Sequence, residues 1–375
     1  MDFNYTDEQT MLRDSVSRYL AANYGFEPRM AVVNGEHGWS PAVWKAFAEE
    51  LGILGASFSE AHGGFGGGAI ENMIVMEEIG KALVIEPYLS TVVIAGGALK
   101  ATGGALAEAV IPKIIDGSAV IAFAYAEPQA RYNLADLRST ARADGGGYVL
   151  SGHKSVVYGA PYATHLLVTA RSGGGQRDRG GVSLFLIPAT TAGITRRDYP
   201  TVDGARASEV YFENVAVGAD MLVGPAAEAL PLIEQIVDEA IVALCAEASG
   251  VTRKLHEGTL DYAKQRKQFG KAIGEFQVLQ HRMVDMFMEV EQAVSMTLMA
   301  TLRLGDADRS KHVSAAKAKI GTACKFVGQN AVQIHGGIGI SNELAIGHYF
   351  KRATMIEGQF GSVDYHLQRY ESLMG

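Results

Sequence analysis

The sequence predicts an α+β protein of three domains: a helical N-terminal domain, a central β-barrel or β-sandwich domain, and a C-terminal four-helix bundle. Apolar residues recur at helical spacing in both end regions, and short runs rich in Val, Tyr, Thr and Phe fill the middle. With 375 residues, of which 48% are apolar and 20% charged, the chain is long enough for several domains. We place the domain boundaries at residues 1–115, 116–225 and 226–375.

The N-terminal helical pattern starts at Thr6, whose side chain can cap a helix while Gln9, three residues later, reaches back to it. The pattern continues to about Ile114, with a glycine-rich break at residues 63–68. The first residues lack the basic and apolar stretches of a signal peptide. The apolar segment 84–99 contains a glutamate and a proline, so it cannot supply a membrane span. We therefore expect a cytoplasmic protein without membrane contact.

The middle region is predicted to form a series of strands separated by glycine-rich turns, such as residues 144–147 and 172–175. The runs with strand composition are residues 120–125, 148–150, 165–170, 182–188 and 209–212. Short strands at this spacing are typical of a compact β-domain.

The helical period returns at Leu230, and the first long helix is expected to extend to about Lys267. Its apolar residues form a broad stripe. Glu247 falls on the flank of that stripe, whereas Asp238 and Glu239 lie mainly outside it. A carboxylate on an apolar face holds a proton more tightly than one in water, which suits a catalytic base. Glu247 is therefore a candidate catalytic residue.

The overall charge and the cysteines exclude several classes of function. A net charge of −8 and the absence of a dense basic stretch argue against nucleic-acid binding and against an anionic membrane surface. Cys245 and Cys324 lie in apolar helical stretches, so we interpret both as buried core residues rather than as a disulfide. The two cysteines do not suggest a thiolate metal site, and no second His, Cys or carboxylate stands at metal spacing from His335, so no metal is expected.

Two motifs in the C-terminal region suggest a ligand. Arg266 begins an Arg-Lys-Gln-Phe-Gly run at the end of the long helix, and its guanidinium is suited to phosphate oxygens. Gln277 follows eleven residues later, and a Gly-Gly pair stands within residues 333–339, where backbone amides can approach a ligand closely. Together and in this order, these motifs resemble the acyl-CoA dehydrogenase family. Further matches at residues 125–128, 150–154 and 202–215 extend the resemblance over the whole chain.

The resemblance implies FAD as cofactor, an acyl-CoA thioester as substrate and an electron-transfer flavoprotein as electron acceptor. It also implies that the adenine and pyrophosphate parts of FAD are held from a neighbouring subunit. The residues that match this FAD-binding site are Arg266, Gln268, Phe269, Gln277, Gln333, His335, Gly336 and Gly337. We interpret His335 as a loop contact rather than as a base or a metal ligand.

Removal of two hydrogens from an acyl thioester needs a carboxylate base at Cα. In much of the family this base is a Glu before a Gly, in the loop after the last long helix, and the alignment places Phe360 there. A shift of this alignment by three residues brings Glu357 to the position of the base, but it breaks the match of the residues on both sides. Other branches carry the base in an Ala-Glu-x-x-Gly run, here residues 246–250, which implies Glu247. From the residues alone, the alternative is that Glu247 pairs with a Lys or Arg of a neighbouring helix.

The flavin-ring motifs depart from the family pattern. Ala126 replaces a Thr, and Val156 and Tyr158 stand where Trp and Thr are common. These changes suggest a homo- or hetero-oligomer, arranged as a dimer of dimers, in which a second acyl-CoA dehydrogenase-like subunit holds the flavin. One hypothesis is a dehydrogenase with Glu247 as base, acting on a medium-chain, dicarboxylic or ring-bearing CoA ester. The other is a non-catalytic partner subunit. An acyl-CoA oxidase or a flavin monooxygenase is a third, weaker hypothesis.

Overall fold

The computed structural model describes residues 4–374, which form two compact units. The first, here called the helical unit, comprises the residues up to 31, residues 69–84 and the residues from 241 onward. The second, the sheet unit, comprises residues 32–68 and 85–240. Helices, then strands, then helices follow one another along the chain, which confirms the predicted order of secondary structure.

The first helix is fixed at its start by the predicted capping box. Thr6 Oγ1 accepts a hydrogen bond from the Gln9 amide at 3.2 Å, and Gln9 Oε1 accepts one from the Thr6 amide at 3.1 Å. The helices before the sheet are α1 Asp7–Asn23, α2 Phe26–Asn34, α3 Pro41–Glu49, α4 Ala69–Ala82, α5 Gly96–Thr102 and α6 Gly104–Ile115, with a π-helical segment Leu89–Ala95 before α5.

The seven main strands form one mixed sheet in the sheet unit. They are β1 Ile121–Ala124, β2 Thr140–Asp144, β3 Gly147–Tyr158, β4 His165–Arg171, β5 Val182–Pro188, β6 Ile194–Pro200 and β7 Arg206–Gly218. Their order is β1-β4-β2-β3-β7-β6, and β5 pairs with β4. Leu150, Val168 and Phe185 lie in the fully buried core of this sheet. Each predicted strand run overlaps an observed strand, although the run 120–125 extends one residue beyond β1 at each end, and β2 and β6 were not predicted.

The helices after the sheet are α7 Leu230–Gln265, α8 Gln277–Leu302, α9 Arg309–His335, α10 Ala345–Gly358 and α11 Val363–Ser372. A short hairpin of two-residue strands, β8 Lys267–Gln268 and β9 Lys271–Ala272, follows α7. Helices α8 and α9 are neighbours joined by a six-residue connection, so they run antiparallel. The pair Lys319–Glu289, 2.7 Å apart, fixes their register. Helices α10 and α11 pack on α9.

Helix α7 is enclosed in its middle. Residues 240–252 are all buried, and Asp238, expected mainly outside the apolar stripe, is also fully buried. Glu234, Gln235 and Glu239 around it are partly exposed, so the apolar stripe alone does not define the buried face of α7 here. Within the helical unit, Gly80 of α4 lies against α7 so closely that an added Cβ would be 2.0 Å from the Glu247 carbonyl oxygen. Backbone contact therefore fixes α7 at Glu247.

The prediction for the two cysteines is confirmed by the structure. Cys245 and Cys324 are free and buried. None of the helices within residues 4–374 combines the length and the hydropathy needed to cross a membrane.

Candidate active site

Arg266 lies just beyond the end of α7, with its side chain in solvent. Its amide continues the helical pattern by donating to the Tyr262 carbonyl at 2.8 Å. The guanidinium makes no hydrogen bond or ion pair with another residue in the range 4–374. The turn that follows carries Phe269, which is 93% exposed and has a left-handed backbone with φ 53°. A free guanidinium beside a strained, exposed turn is available to a ligand.

Tyr262 joins the Arg266 end of α7 to the Gly-Gly turn. Its ring stacks on that of His335, with centroids 4.2 Å apart, and its hydroxyl donates to the His335 carbonyl at 3.5 Å. His335 Nδ1 donates to the Ala331 carbonyl at 2.8 Å, and burial lowers the pKa of the imidazole. His335 is thus a buried link between α7 and α9.

The two predicted glutamines stand at the same end of the helical unit. The register set by Lys319 and Glu289 places Gln277, at the start of α8, within about one turn of Gln333, near the end of α9. Both side chains are exposed, and neither has a hydrogen-bond partner among residues 4–374. Gln268 is also exposed, and its amide donates to the Lys267 carbonyl at 2.8 Å.

The Gly-Gly turn leaves open space above the backbone. Gly336 has φ 66°, and a Cβ added at Gly336 or Gly337 would meet no atom within 4 Å. The structure therefore brings Arg266, Gln277, Gln333 and this turn to one end of the helical unit. Exposed donors beside an accessible backbone fit the phosphates and the planar base of an adenine dinucleotide.

Apolar side chains surround these donors. Phe269 is accompanied by Val278 at 68%, Ile340 at 67% and Ile338 at 43% exposure. Exposed apolar residues mixed with free polar groups mark a surface that another molecule covers.

Glu247 forms a buried ion pair with Arg352 of α10. Arg352 Nε lies 2.5 Å from Glu247 Oε1, and Arg352 Nη2 lies 2.7 Å from Oε2. Only 5% of the Glu247 side chain and 16% of the Arg352 side chain are exposed. Both carboxylate oxygens are thus engaged by one guanidinium, in the two-bond geometry that makes such pairs strong.

The loop between α10 and α11 carries Phe360, at the alternative base position. Phe360 is buried, with 8% exposure and φ 58°. The buried Lys317 of α9 donates to the carbonyls of Gly361 at 2.7 Å and Glu357 at 2.9 Å. The Glu357 carboxylate accepts from the Val363 amide at 3.0 Å at the start of α11. This loop is therefore tightly bound to α9, and Glu357, near the end of α10, accepts a hydrogen bond from the first residue of α11.

In the sheet unit, a buried ion pair joins two of the motifs found in the sequence. Lys154 Nζ lies 2.7 Å from Glu127 Oε1 and 3.0 Å from Thr169 Oγ1. Glu127 also accepts from the Arg138 amide at 2.7 Å and the Gln129 side chain at 2.9 Å. Burial alone would raise the pKa of Glu127, but Lys154 and these hydrogen bonds outweigh it and lower the pKa to about 2. Glu127 is therefore ionised, and its role is to pair with Lys154 in the core of the sheet unit.

The segment at Val156 departs from regular strand geometry. The register of β3 against β7 shifts between Lys154 and Val157, and Val156 has φ 52° with 44% exposure. Its amide donates to the Glu209 carboxylate, which also accepts from Tyr199 at 2.8 Å. The bulge turns the Val156 side chain outward, at the position where the family resemblance implies a Trp beside the flavin.

Three residues of the candidate site did not emerge as such from the sequence: Tyr262, Lys317 and Arg352. Lys317 and Arg352 are cations within apolar helical stretches, and a buried cation requires a partner. That signal marks them as structurally important, but only the fold identifies the partners.

Three family descriptions match successive parts of the chain. The acyl-CoA dehydrogenase N-terminal domain matches residues 6–118, the middle domain residues 122–215 and the C-terminal domain residues 231–370. The match confirms the predicted fold class of helical, sheet and helical domains.

Individual relatives agree with this assignment. The probable acyl-CoA dehydrogenase YngJ of Bacillus subtilis is 30% identical over 366 residues, which is 95% of each chain. The solved structure of the Tcur3481-Tcur3483 steroid ACAD variant is 29% identical, with a TM-score of 0.88 over 98% of each chain. The ChsE4-ChsE5 complex from Mycobacterium tuberculosis, 24% identical, has the same fold, with a TM-score of 0.90 over 100% of this chain and 99% of that one. The chain therefore belongs to the acyl-CoA dehydrogenase family of FAD-dependent oxidoreductases, which act on acyl-CoA thioesters.

Proposed function

We propose that this chain is one subunit of a heteromeric acyl-CoA dehydrogenase. In this proposal it holds the adenine end of FAD through Arg266, Gln277, Gln333 and the Gly336 turn. Gln268, Phe269 and Gly337 lie at the same surface, and the buried His335 directly precedes the turn. A sister subunit holds the flavin ring and supplies the catalytic base. The observation that carries the proposal is the bidentate pairing of Glu247 with Arg352.

A base at Cα needs a carboxylate oxygen with a lone pair free to accept the proton. Both oxygens of Glu247 accept hydrogen bonds from Arg352, so uptake of a proton by Glu247 would leave the buried charge of Arg352 without its counter-charge. Phe360 has no group that can accept a proton, and one oxygen of the Glu357 carboxylate accepts from the Val363 amide of α11. The aligned base position therefore carries no carboxylate, which favours a base on another chain.

The sheet unit supports the same proposal. When bound, FAD supplies the acceptor for the hydride that leaves Cβ of the substrate. At the flavin-ring motifs this chain has Ala126 and Val156, which lack the Thr hydroxyl and the Trp surface common in the family, and Tyr158 in place of a Thr. The bulge at Val156 presents an aliphatic side chain there, so this chain offers little to bind the ring.

Likeness to subunits of paired enzymes is also consistent with a heteromer. The ChsE4-ChsE5 complex and the Tcur3481-Tcur3483 variant are each named as a pair of chains. The chain also resembles the small subunit of pimeloyl-CoA dehydrogenase in residues 240–249 and 335–355. We therefore infer a dicarboxylic, medium-chain or ring-bearing acyl group as substrate, and an electron-transfer flavoprotein as electron acceptor.

Glu247 as the base of this chain is the competing proposal. It is favoured by the burial of the carboxylate in the Ala-Glu-x-x-Gly run of α7. In that case Arg352 would orient the carboxylate and release it when the thioester binds.

Complementation of the two subunits separates the proposals. This chain is co-expressed with the acyl-CoA dehydrogenase-like chain encoded nearest to it, and turnover of pimeloyl-CoA and octanoyl-CoA is measured with an artificial electron acceptor. We expect activity only in the co-expressed assembly. Glu247→Gln in this chain should leave kcat per folded assembly within about twofold, whereas replacement of the base in the sister should lower it by about 10² to 10⁴. A loss of that size from Glu247→Gln alone would make Glu247 the base.

A further inference from the structure

A serine, a histidine and a glutamate form a chain of hydrogen bonds at the surface of the sheet unit. Ser59 Oγ lies 2.9 Å from His62 Nδ1, and His62 Nε2 lies 3.2 Å from Glu108 Oε1. All three residues belong to the sheet unit, and none belongs to the sites described above. A nucleophile, a base and a carboxylate in this order are the arrangement that activates a hydroxyl for acyl transfer.

The short segment that carries Ser59 and His62 fixes their geometry. Ser59 directly precedes a single helical turn, Glu60–His62, and its side chain does not cap that turn. The amide of Gly64 donates to the Ser59 carbonyl at 3.0 Å, and the amide of Gly66 donates to the Phe58 carbonyl at 2.7 Å. The glycine-rich segment thus holds the backbone that directs the Ser59 hydroxyl to His62.

Glu108 of α6 holds the imidazole from the other side. The His62 side chain is 20% exposed, whereas that of Glu108 is 69% exposed. With its hydrogen on Nε2, His62 donates to Glu108 and keeps a lone pair on Nδ1 for the Ser59 proton. Glu108 is thus a positioning residue, which selects the tautomer and fixes the ring, while Ser59 and His62 carry the chemistry.

Two features beside Ser59 suit an acyl substrate. The Glu60 amide, directly after the nucleophile, makes no hydrogen bond with another residue in the range 4–374, and Glu60 is exposed. Hydrolases use the amide at this position to stabilise the negative oxygen of the tetrahedral intermediate. Phe65, one residue beyond Gly64, is 70% exposed and offers an apolar surface to an acyl chain.

We propose that Ser59, His62 and Glu108 form a second active site, which hydrolyses acyl thioesters. Ser59 Oγ forms a bond to the thioester carbonyl carbon, and the C–S bond breaks. The Ser59 proton passes to His62 Nδ1 and from there to the leaving thiolate.

Hydrolysis of the resulting ester of Ser59 completes the cycle. Water, deprotonated by His62, forms a bond to the same carbon, the bond to Ser59 Oγ breaks, and the serine regains its proton. The products are a thiol, a carboxylate and one released proton. This chemistry involves neither FAD nor an electron acceptor, so it is independent of the proposed function.

The test uses the purified assembly without an electron acceptor and two probes, p-nitrophenyl acetate and hexanoyl-CoA. We expect release of p-nitrophenolate from the first probe and of CoA thiol from the second, each above the rate in buffer. Mass spectrometry after a brief reaction with p-nitrophenyl acetate should find an acetyl group on Ser59, because the acyl-enzyme accumulates in such reactions.

Variants of the nucleophile and the base have matched controls in the same unit. Ser59→Ala and His62→Gln should each lower both rates by about tenfold or more. Ser118→Ala and His37→Gln are the controls, because both residues are exposed in the sheet unit and lie outside the chain of hydrogen bonds. The controls should keep both rates within about twofold.

The positioning role of Glu108 has its own measurement. Glu108→Gln should slow the first-turnover burst of p-nitrophenolate by about three- to tenfold without lowering its amplitude. The amplitude counts intact sites, so a merely structural role would lower the amplitude instead.

Three results would overturn the proposal. They are thiol release from hexanoyl-CoA no faster than in buffer, a rate that Ser59→Ala leaves unchanged, and an acetyl group on another residue in place of Ser59. If a variant fails to fold, the position of the acetyl group in the wild-type chain still decides the question.

Discussion

Glu247 of α7 and Arg352 of α10 are joined by two hydrogen bonds, of 2.5 and 2.7 Å, that occupy both carboxylate oxygens. The pair is nearly closed to solvent, so removal of either partner leaves the other charge buried and uncompensated. In our account, this pair holds two helices together rather than serving the chemistry.

The first prediction concerns stability. Arg352→Met should lower the free energy of unfolding by about 3 to 5 kcal/mol, because the Glu247 carboxylate then loses its buried counter-charge. The double variant Glu247→Gln with Arg352→Met should recover a large part of that loss. Urea unfolding of the wild-type, single and double variants measures the coupling. Additive losses would contradict the account.

The second prediction concerns the adenine end of FAD. Arg266→Ala should lower FAD occupancy of the purified assembly by about tenfold or more, since a charge-assisted hydrogen bond contributes about 1.5 to 3 kcal/mol. Lys264→Ala is the matched control, because Lys264 is an exposed cation in the last turn of the same helix. Full retention of FAD by the Arg266 variant would remove Arg266 from the site.

The third prediction concerns the ion pair of the sheet unit. Lys154→Met should destabilise the protein by about 3 to 5 kcal/mol, because Glu127 would stay buried without its cation. Adding Glu127→Gln should restore part of that stability, since a neutral amide can still accept from the Arg138 amide. Denaturant midpoints of the three proteins provide the check. No recovery in the double variant would show that the pair is not coupled.

The fourth prediction concerns pH. His366 is fully buried and donates from Nε2 to the Phe360 carbonyl at 3.1 Å. Burial, aided by Lys317, lowers the pKa of the imidazole to about 3. Below the unfolded pKa of about 6.5, the unfolded chain gains a proton that the folded chain resists, so stability falls as pH falls.

Between pH 7.5 and 5.5 this linkage should remove about 1.4 kcal/mol from the free energy of unfolding, and the loss should continue down to about pH 3. His366→Gln should lack this part of the pH dependence, although its stability at pH 7.5 is expected to be lower. Unfolding curves of the two proteins at both pH values give the difference. Parallel pH profiles would contradict the assignment of His366.

Much of the architecture follows from the sequence because most strands carry apolar residues that must be buried. Strand β2 and strand β6 were missed for the opposite reason. Their residues are mostly polar and exposed, and β6 reads Ile-Thr-Arg-Arg-Asp-Tyr-Pro. Such strands form because the next strand along the chain offers hydrogen bonds: β2 pairs with β3, and β6 pairs with β7. Backbone pairing of this kind leaves no apolar pattern in the sequence.

The candidate site could also be predicted only in part. The sequence grouped Arg266 with Gln277 and Gln333, and the helix register brings these residues to one end of the helical unit. The partner of Glu247 could not be predicted, because Arg352 lies 105 residues away and several cations were available. The burial of Asp238 was not predicted either, since this charged side chain lies mainly outside the apolar stripe and is nevertheless buried by packing that the helical period does not show.

The most direct test of the heteromer is the flavin content per chain, measured by absorbance after purification of this chain alone and after co-expression with its sister. Our account predicts that the chain alone is colourless or binds less than one FAD per chain. Co-expression should restore bound FAD together with acyl-CoA turnover. A yellow homo-oligomer with one FAD per chain and full acyl-CoA dehydrogenase activity would contradict it.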